Sequence, residues 1–397
     1  MREGRSTDGT DPKERGGHGS ARAAPAPGGR GPQRCTAYLP VFTHDTRSPR
    51  VVFGAGSLAA LHDEAARLGL GRVLVLSTPG RRALAERIAD RLGARAVGVH
   101  AEARMHVPVE TARRACGAAA DADADGCVAV GGGSAIGLGK AVARDRGCAL
   151  LAVPTTYSGS EMTSVWGMSE NGEKRTGRDE RVRPRTVVYD PELTLELPVG
   201  ASVSSGMNAL AHAVEALYAP DASPVVALMA EEGVRAIAGA LPRIAVSPAE
   251  TEARSAALYG AWLCGACLGA TTMSLHHKLC HVLGGLGLPH AETHAVVLPH
   301  VLAYNAPGAP EAMAALGRAL DTAEPARAIQ ALAARLGAPR SLAELGLAAA
   351  GIDRVAELAL RTPYANPREV TAEGVRGLLH SALRGRAPVP AAGPDRA

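Results

Sequence analysis

The stretch GCVAVGGGSAIGLGKAVARDRGCALLAVPTT, residues 126–156, decides the fold. An apolar run of strand length turns on three consecutive glycines. Small and apolar residues of helical length follow, and a second apolar run closes on Pro-Thr-Thr. Strand, turn, helix and strand in that order predict a parallel sheet flanked by helices. Glycines let the backbone approach an anion closely, and a helix N-terminus presents free N–H groups and the positive end of its dipole. Gly131, Gly132, Gly133 and Ser134 therefore read as a pyrophosphate cradle. The spacing is not the standard dinucleotide fingerprint, because Ile136 stands where its third glycine would be. It is not a Walker A loop either, since Ser134 and Ala141 occupy positions that need Gly and Ser or Thr.

The loop after the second strand, VPTTYSGSEMT (153–163), falls on the same carboxyl edge of the sheet, where open α/β sheets bind ligands. Thr155, Thr156 and Ser158 are expected to wall a nicotinamide ribose, with Tyr157 facing the substrate. Dinucleotide sites usually carry a carboxylate for the adenine ribose after their second strand. Here RVLVLST (72–78) ends at Thr78 and runs into Pro79-Gly80-Arg81-Arg82. With no carboxylate and two arginines, the cofactor is expected to be NADH or NADPH.

Outward from this unit, strands are expected over 50–56, 72–78 and 94–100, and helices over 58–69, 81–92 and 109–122. From about residue 200 the pattern is helical only: 205–219, 223–240, 250–273, 274–285, 309–320, 325–336 and 371–384. The fold class is thus an N-terminal α/β dinucleotide-binding domain (37–197, mostly parallel sheet) and an all-helical catalytic domain (198–388). Residues 1–36 and 389–397 are expected to be disordered tails, the first rich in Gly, Arg and Pro.

The 397 residues are 46% hydrophobic with a net charge of +4, and only 3% are aromatic. No basic stripe interleaved with aromatics exists, which excludes nucleic acid as an expected partner. No apolar run reaches the roughly 18–20 residues of a membrane span. The seven cysteines are odd in number and mostly lie in apolar segments, as reduced core thiols of a cytoplasmic protein would. Cys264 and Cys267 form a lone CxxC with neither a partner motif nor a redox context, and are read as core packing.

The chemistry concentrates in LHHKLCHVLGGLGLPHAETH (275–294), which holds five of the 13 histidines. His277 and His281 share a helix face, as do Asn208 and His212 in GMNALAHAVEALYA (206–219). His290 follows a Gly-rich turn, so two helices and a loop can bring these polar side chains together. Arg178, Lys174, Arg175 and Lys278 are candidate cations for an acidic substrate.

Taken together, GGGS, PTTYSGSEMT, NALAH and HHKLCH…LPHAETH resemble the iron-containing (group III) alcohol dehydrogenase superfamily, over about residues 38–388. Within it they resemble most the branch that reduces maleylacetate. The resemblance implies a dehydroquinate-synthase-like two-domain fold, a small dicarboxylate substrate and a homodimer. It also implies a metal position formed by Asn208, His212, His277 and His290. Metal-dependent members have Asp where this chain has Asn208, so the only anionic ligand is missing and no metal is expected to be required. The histidines are then expected to act as acids and donors, His277 and His281 foremost, with His212 and His290 lining the site. Asn208 is assigned to the substrate. The rival readings are a metal-dependent alcohol dehydrogenase, a biosynthetic reductase of another keto or enoyl acid, a dehydroquinate-synthase-like cyclase and a non-catalytic dinucleotide binder.

Overall fold

The computed structural model describes residues 42–44, 48–170 and 173–389. Both expected tails, apart from Val389, lie outside the described residues. The strands are β1 (Arg50–Phe53), β2 (Val73–Leu76), β3 (Ala96–His100), β4 (Gly126–Gly131), β5 (Ala149–Pro154), β6 (Val165–Glu170), β7 (Glu173–Arg178) and β8 (Thr186–Tyr189). Six form one sheet in the order β1-β8-β5-β4-β2-β3, and every pairing in it is parallel. Helices α1 (Leu61–Arg67), α2 (Arg82–Leu92), α3 (Val109–Asp121) and α4 (Gly133–Arg146) connect the first five of these strands.

Successive strand residues point to opposite faces, and the two faces serve different cores. Val73, Val75, Val128, Val130, Leu151 and Val153 pack with Leu61, Leu84 and Ile88 of α1 and α2. Leu74, Leu76, Cys127, Ala129, Leu150 and Ala152 pack with Ala112, Ala115, Ile136 and Leu138 of α3 and α4. Strands covered on both sides read as continuous apolar runs, which is why β2, β4 and β5 were legible.

The remaining helices are α5 (Val199–Ala216), α6 (Pro224–Val246), α7 (Thr251–Ala270), α8 (Leu275–Gly285), α9 (His290–Asn305), α10 (Pro310–Leu320), α11 (Pro325–Arg335), α12 (Ile352–Leu360) and α13 (Ala372–Leu383). The core of α3 and α4 continues into α5, α6 and α7 without a break. A second core joins α8, α9, α12 and α13. From Phe42 onward the chain is one compact unit. No single helix among the described residues is long and apolar enough to cross a membrane.

Three features depart from the expectations. β6 and β7 pair antiparallel with each other, outside the main sheet. The four-residue β8 inserts between β1 and β5. His290 opens helix α9 rather than sitting on a loop, and neither α9 nor α12 was expected. In the core, Cys264 and Cys267 are fully buried on α7, and burial pushes both thiols up, Cys267 to about 12. They behave as packing residues.

Candidate active site

β4 delivers Gly131 with φ +140°, and α4 begins two residues later. A Cβ on Gly132 would lie 2.9 Å from Thr156 Cγ2, so only glycine lets these two turns close on one another. Gly132, the N-cap of α4, provides no side-chain cap, and a Cβ on Gly133 would meet nothing within 4 Å. The helix N-terminus therefore keeps free N–H groups facing open space. That arrangement fits a pyrophosphate. Thr155 N–H donates to Gly131 O at 3.0 Å and holds the β5 loop beside the cradle. Thr78 is half-buried at the carboxyl end of β2. Arg81 pairs with Glu196 at 3.0 Å across this edge, and Arg82 lies on the solvent side, 3.8 Å from Glu86.

Next to the cradle is a cavity of about 540 Å³, lined from the sheet side by Gly133, Ser134, Lys140 and Ser158 and from the helices by Asn208, His212, His277, His281 and His290. The cradle and all four histidines expected at the site thus meet in one cleft. Arg178 at the end of β7 also lines it, and its Nη2 donates to Thr271 O at 3.1 Å.

Not every expected residue arrives. Tyr157 is fully buried, and its hydroxyl accepts from Arg254 Nη1 at 3.3 Å in the core, so it does not face a substrate. Arg175 is exposed and pairs with Glu170 at 3.4 Å. Lys278 donates to Thr362 Oγ1 at 2.8 Å, outside the cavity lining. Lys174 lies on β7, but its side chain is outside the described residues.

The residue that organises the histidines is Glu215, which the motif reading passed over. Its fully buried carboxylate accepts the backbone N–H groups of Ser274 (3.0 Å), His276 (2.8 Å) and His277 (3.3 Å). It is the anionic cap of α8, placed where a helix N-terminus stabilises negative charge. The same carboxylate binds His277 Nδ1 at 2.6 Å, which turns Nε2 into the cavity. His277 Nε2, His212 Nδ1 and Asn208 Oδ1 are all buried without a protein partner, so they are the polar atoms a ligand would satisfy. A charged residue inside the apolar helix NALAHAVEALYA was the available signal for Glu215.

Lys140 was also missed. It is buried, and its ammonium donates to Ser160 O (2.7 Å), Thr163 Oγ1 (2.9 Å) and Val165 O (2.6 Å). It fastens the β5 loop to α4. Burial pushes its pKa down to about 7, with Glu161 opposing the shift.

The metal position implied by the superfamily can be tested on the donor set. Asn208 brings no charge, and Glu215 is committed to α8 and His277 Nδ1. Among the described residues, the one set of three His, Cys, Asp or Glu ligand atoms lying within 4.8 Å of one another is His276, Cys280 and His294. His212, His277 and His290 do not converge to that degree. A divalent ion at this position would be met by neutral donors only, with no anionic ligand to offset its charge.

Burial, followed by the neighbouring imidazoles, pushes His212, His276 and His294 well below the ordinary histidine pKa. They are neutral when folded but titrate near 6.5 when unfolded. Between those values the unfolded chain binds more protons, so stability is full above about 6.5 and falls as pH drops below it. Each such histidine contributes a slope of about 1.4 kcal/mol per pH unit. Thermal melts between pH 7.5 and 5 should therefore show a steep decline below about pH 6. A flat profile would mean the three rings gain protons in the folded state.

This architecture, a parallel dinucleotide sheet with a histidine-lined cleft against a helical half, defines a class of oxidoreductase. The chain belongs to the iron-containing alcohol dehydrogenase family. Residues 48–191 match the iron-containing alcohol dehydrogenase model, and residues 202–383 match the C-terminal model of the same family. Among relatives, it is 56% identical to the maleylacetate reductase of Burkholderia cepacia over 348 residues, covering 87% of this chain and 99% of that one. It is 51% identical to the maleylacetate reductase of Pseudomonas sp. (strain P51), covering 88% of this chain and 99% of the relative. The crystal structure of maleylacetate reductase from Rhizobium sp. strain MTP-10005 superposes with a TM-score of 0.85 at 50% identity, covering 88% of this chain and 99% of that chain.

Proposed function

We propose that this chain reduces the conjugated carbon–carbon double bond of maleylacetate to give 3-oxoadipate, using NADH or NADPH and no metal, with residues 37–197 holding the cofactor and 198–388 supplying the acid. The observation that carries the reading is the Glu215–His277 pair, whose free Nε2 stands in the cavity beside Asn208 and His212. Gly131 to Ser134 would hold the pyrophosphate, and Ser158 and Thr78 the sugar edges. The reduced nicotinamide supplies a hydride when bound.

Reduction of an enone places charge on the ketone oxygen as a delocalised enolate. Preorganised donors in a water-poor site can stabilise such a charge. In its doubly protonated form His277 donates from Nε2, while Glu215 balances the imidazolium from the other side. The Nε2 proton then passes to the carbon beside the ketone, and the ring is left neutral. His281 is exposed at the cavity mouth and stacks on His290 with centroids 6.2 Å apart, a route by which solvent returns the proton. Arg178 at the cavity wall suits one substrate carboxylate. The free thiols of the described cysteines accord with a reducing cytoplasm.

The experiment is cofactor oxidation with maleylacetate, using chelator-treated protein whose metal content has been assayed. Turnover with both NADH and NADPH and no bound metal is the expected result. Activity that appears only on adding Fe²⁺ or Zn²⁺ would reject the metal-free mechanism. Silence under both conditions, with cofactor binding intact, would reject the substrate.

A further inference from the structure

The buried triad His276, Cys280 and His294 takes no part in the chemistry above. α8 sets His276 and Cys280 four residues apart and so on one face, and α9 brings His294 against them. His276 Nε2 lies 2.9 Å from His294 Nδ1 and 3.7 Å from Cys280 Sγ. All three side chains are fully buried. Tetrahedral zinc, with Zn–N near 2.0–2.1 Å and Zn–S near 2.3 Å, needs N···N of about 3.3 Å and N···S of about 3.6 Å. Cys280 Sγ is already at that spacing from His276 Nε2, the three ligand atoms lie within 4.8 Å of one another, and the two imidazoles have to part by roughly 0.4 Å. Imidazole with thiolate is the donor set that soft and borderline cations select. Cys280 also lines a second cavity of about 350 Å³, with His281 and His290, which gives an ion a way in.

We propose that His276, Cys280 and His294 form a binding site for zinc or a similar thiophilic divalent cation, and that filling it switches the reductase off. The set shares no residue with Asn208, His212, His277 and His290. Binding forms a metal–sulfur bond and releases the Cys280 thiol proton to solvent. The ring proton shared between His276 and His294 moves to the other nitrogen of its own ring. Nothing is oxidised or reduced. One positive charge remains, beside a ring whose centroid lies 5.0 Å from that of His277 and 4.5 Å from that of His290. Parting His276 from His294 also shifts α8 against α9, and with α8 it moves the His277 ring that lines the cavity. The inhibition, though not the binding, rests on the proposed reductase activity.

The test uses the full chain, with Co²⁺ as optical probe and Zn²⁺ as inhibitor. The expected result is one Co²⁺ per protomer with a thiolate-to-cobalt charge-transfer band. Cys280→Ser should abolish the band and keep turnover, and His294→Asn should weaken Co²⁺ binding. Zn²⁺ should lower turnover of the parent protein roughly tenfold or more, a shift of about 1.4 kcal/mol in the barrier, and leave Cys280→Ser unaffected. A band that survives Cys280→Ser, cobalt bound without a band, or no binding of either ion would each overturn the proposal. Binding as described in a protein that does not turn over maleylacetate would leave the site standing and reject the activity instead.

Discussion

His277→Gln should lower kcat by about 10²–10⁴-fold and leave NADH binding unchanged, since the substitution removes the proposed proton donor and touches nothing in the cofactor cradle. Glutamine can still donate a hydrogen bond to the enolate oxygen, but it has no proton to give to carbon. A fall in kcat at constant cofactor affinity therefore separates acid catalysis from binding. Glu215→Gln is the companion variant. An amide at this position can still accept from Nδ1 but no longer balances an imidazolium. The kcat should then fall as well, again with NADH binding unchanged. The same variant loses the anionic cap of α8 and should melt earlier. Steady-state kinetics of His277→Gln at parental kcat would remove His277 from the mechanism.

Arg254→Met should cost about 3–5 kcal/mol of stability, the range seen when a buried, fully hydrogen-bonded charge network is broken. Its guanidinium is wholly buried and donates to Pro248 O (2.8 Å), Ser202 Oγ (2.7 Å), Leu197 O (2.9 Å) and the Tyr157 hydroxyl (3.3 Å). Methionine fills much of the volume but leaves those acceptors without donors in a dry environment. The network ties α7 to the start of α5 and, through Tyr157, to the loop after β5. The cradle should loosen with it, so KM for NADH should rise as the melting temperature falls. Denaturant midpoints equal to those of the parent protein would show that water or rearranged partners satisfy the freed groups.

Much of the sheet was legible because β2, β4 and β5 are apolar on both faces and glycines mark their ends. The helical half from α5 to α8 was legible because its apolar positions repeat at helical spacing. Most failures came where that periodicity is absent, although α12 was missed with buried Ile352, Val355, Ala356 and Ala359 at helical spacing. α9 is buried from Thr293 to Asn305 and carries Pro299 inside it, so it has no polar face to give it a period. The strand β7 is polar, and β6 and β7 pair with each other outside the main sheet, with one further bridge from Ser169 to Pro108. β8 has four residues, too few to show an alternation, and gains its place from β1 and β5, which lie far away in sequence.

The site divides in the same way. The cradle lies within one strand–turn–helix, and local glycine chemistry was enough to find it. Asn208 with His212, and His277 with His281, were found because pairs four residues apart share a helix face. That Tyr157 turns into the core was decided by Arg254, 97 residues away. That Glu215 both caps α8 and aims His277 was decided by the packing of α5 against the start of α8, across 62 residues. The convergence of His276, Cys280 and His294 required α9 to be a helix at all. Sequence alone determined which residue types were present and the short-range faces they occupy, because those depend on backbone geometry within a turn or two. Which buried polar atom meets which partner was left to the tertiary structure, because a desolvated donor or acceptor takes whatever partner the packing of distant elements brings to it.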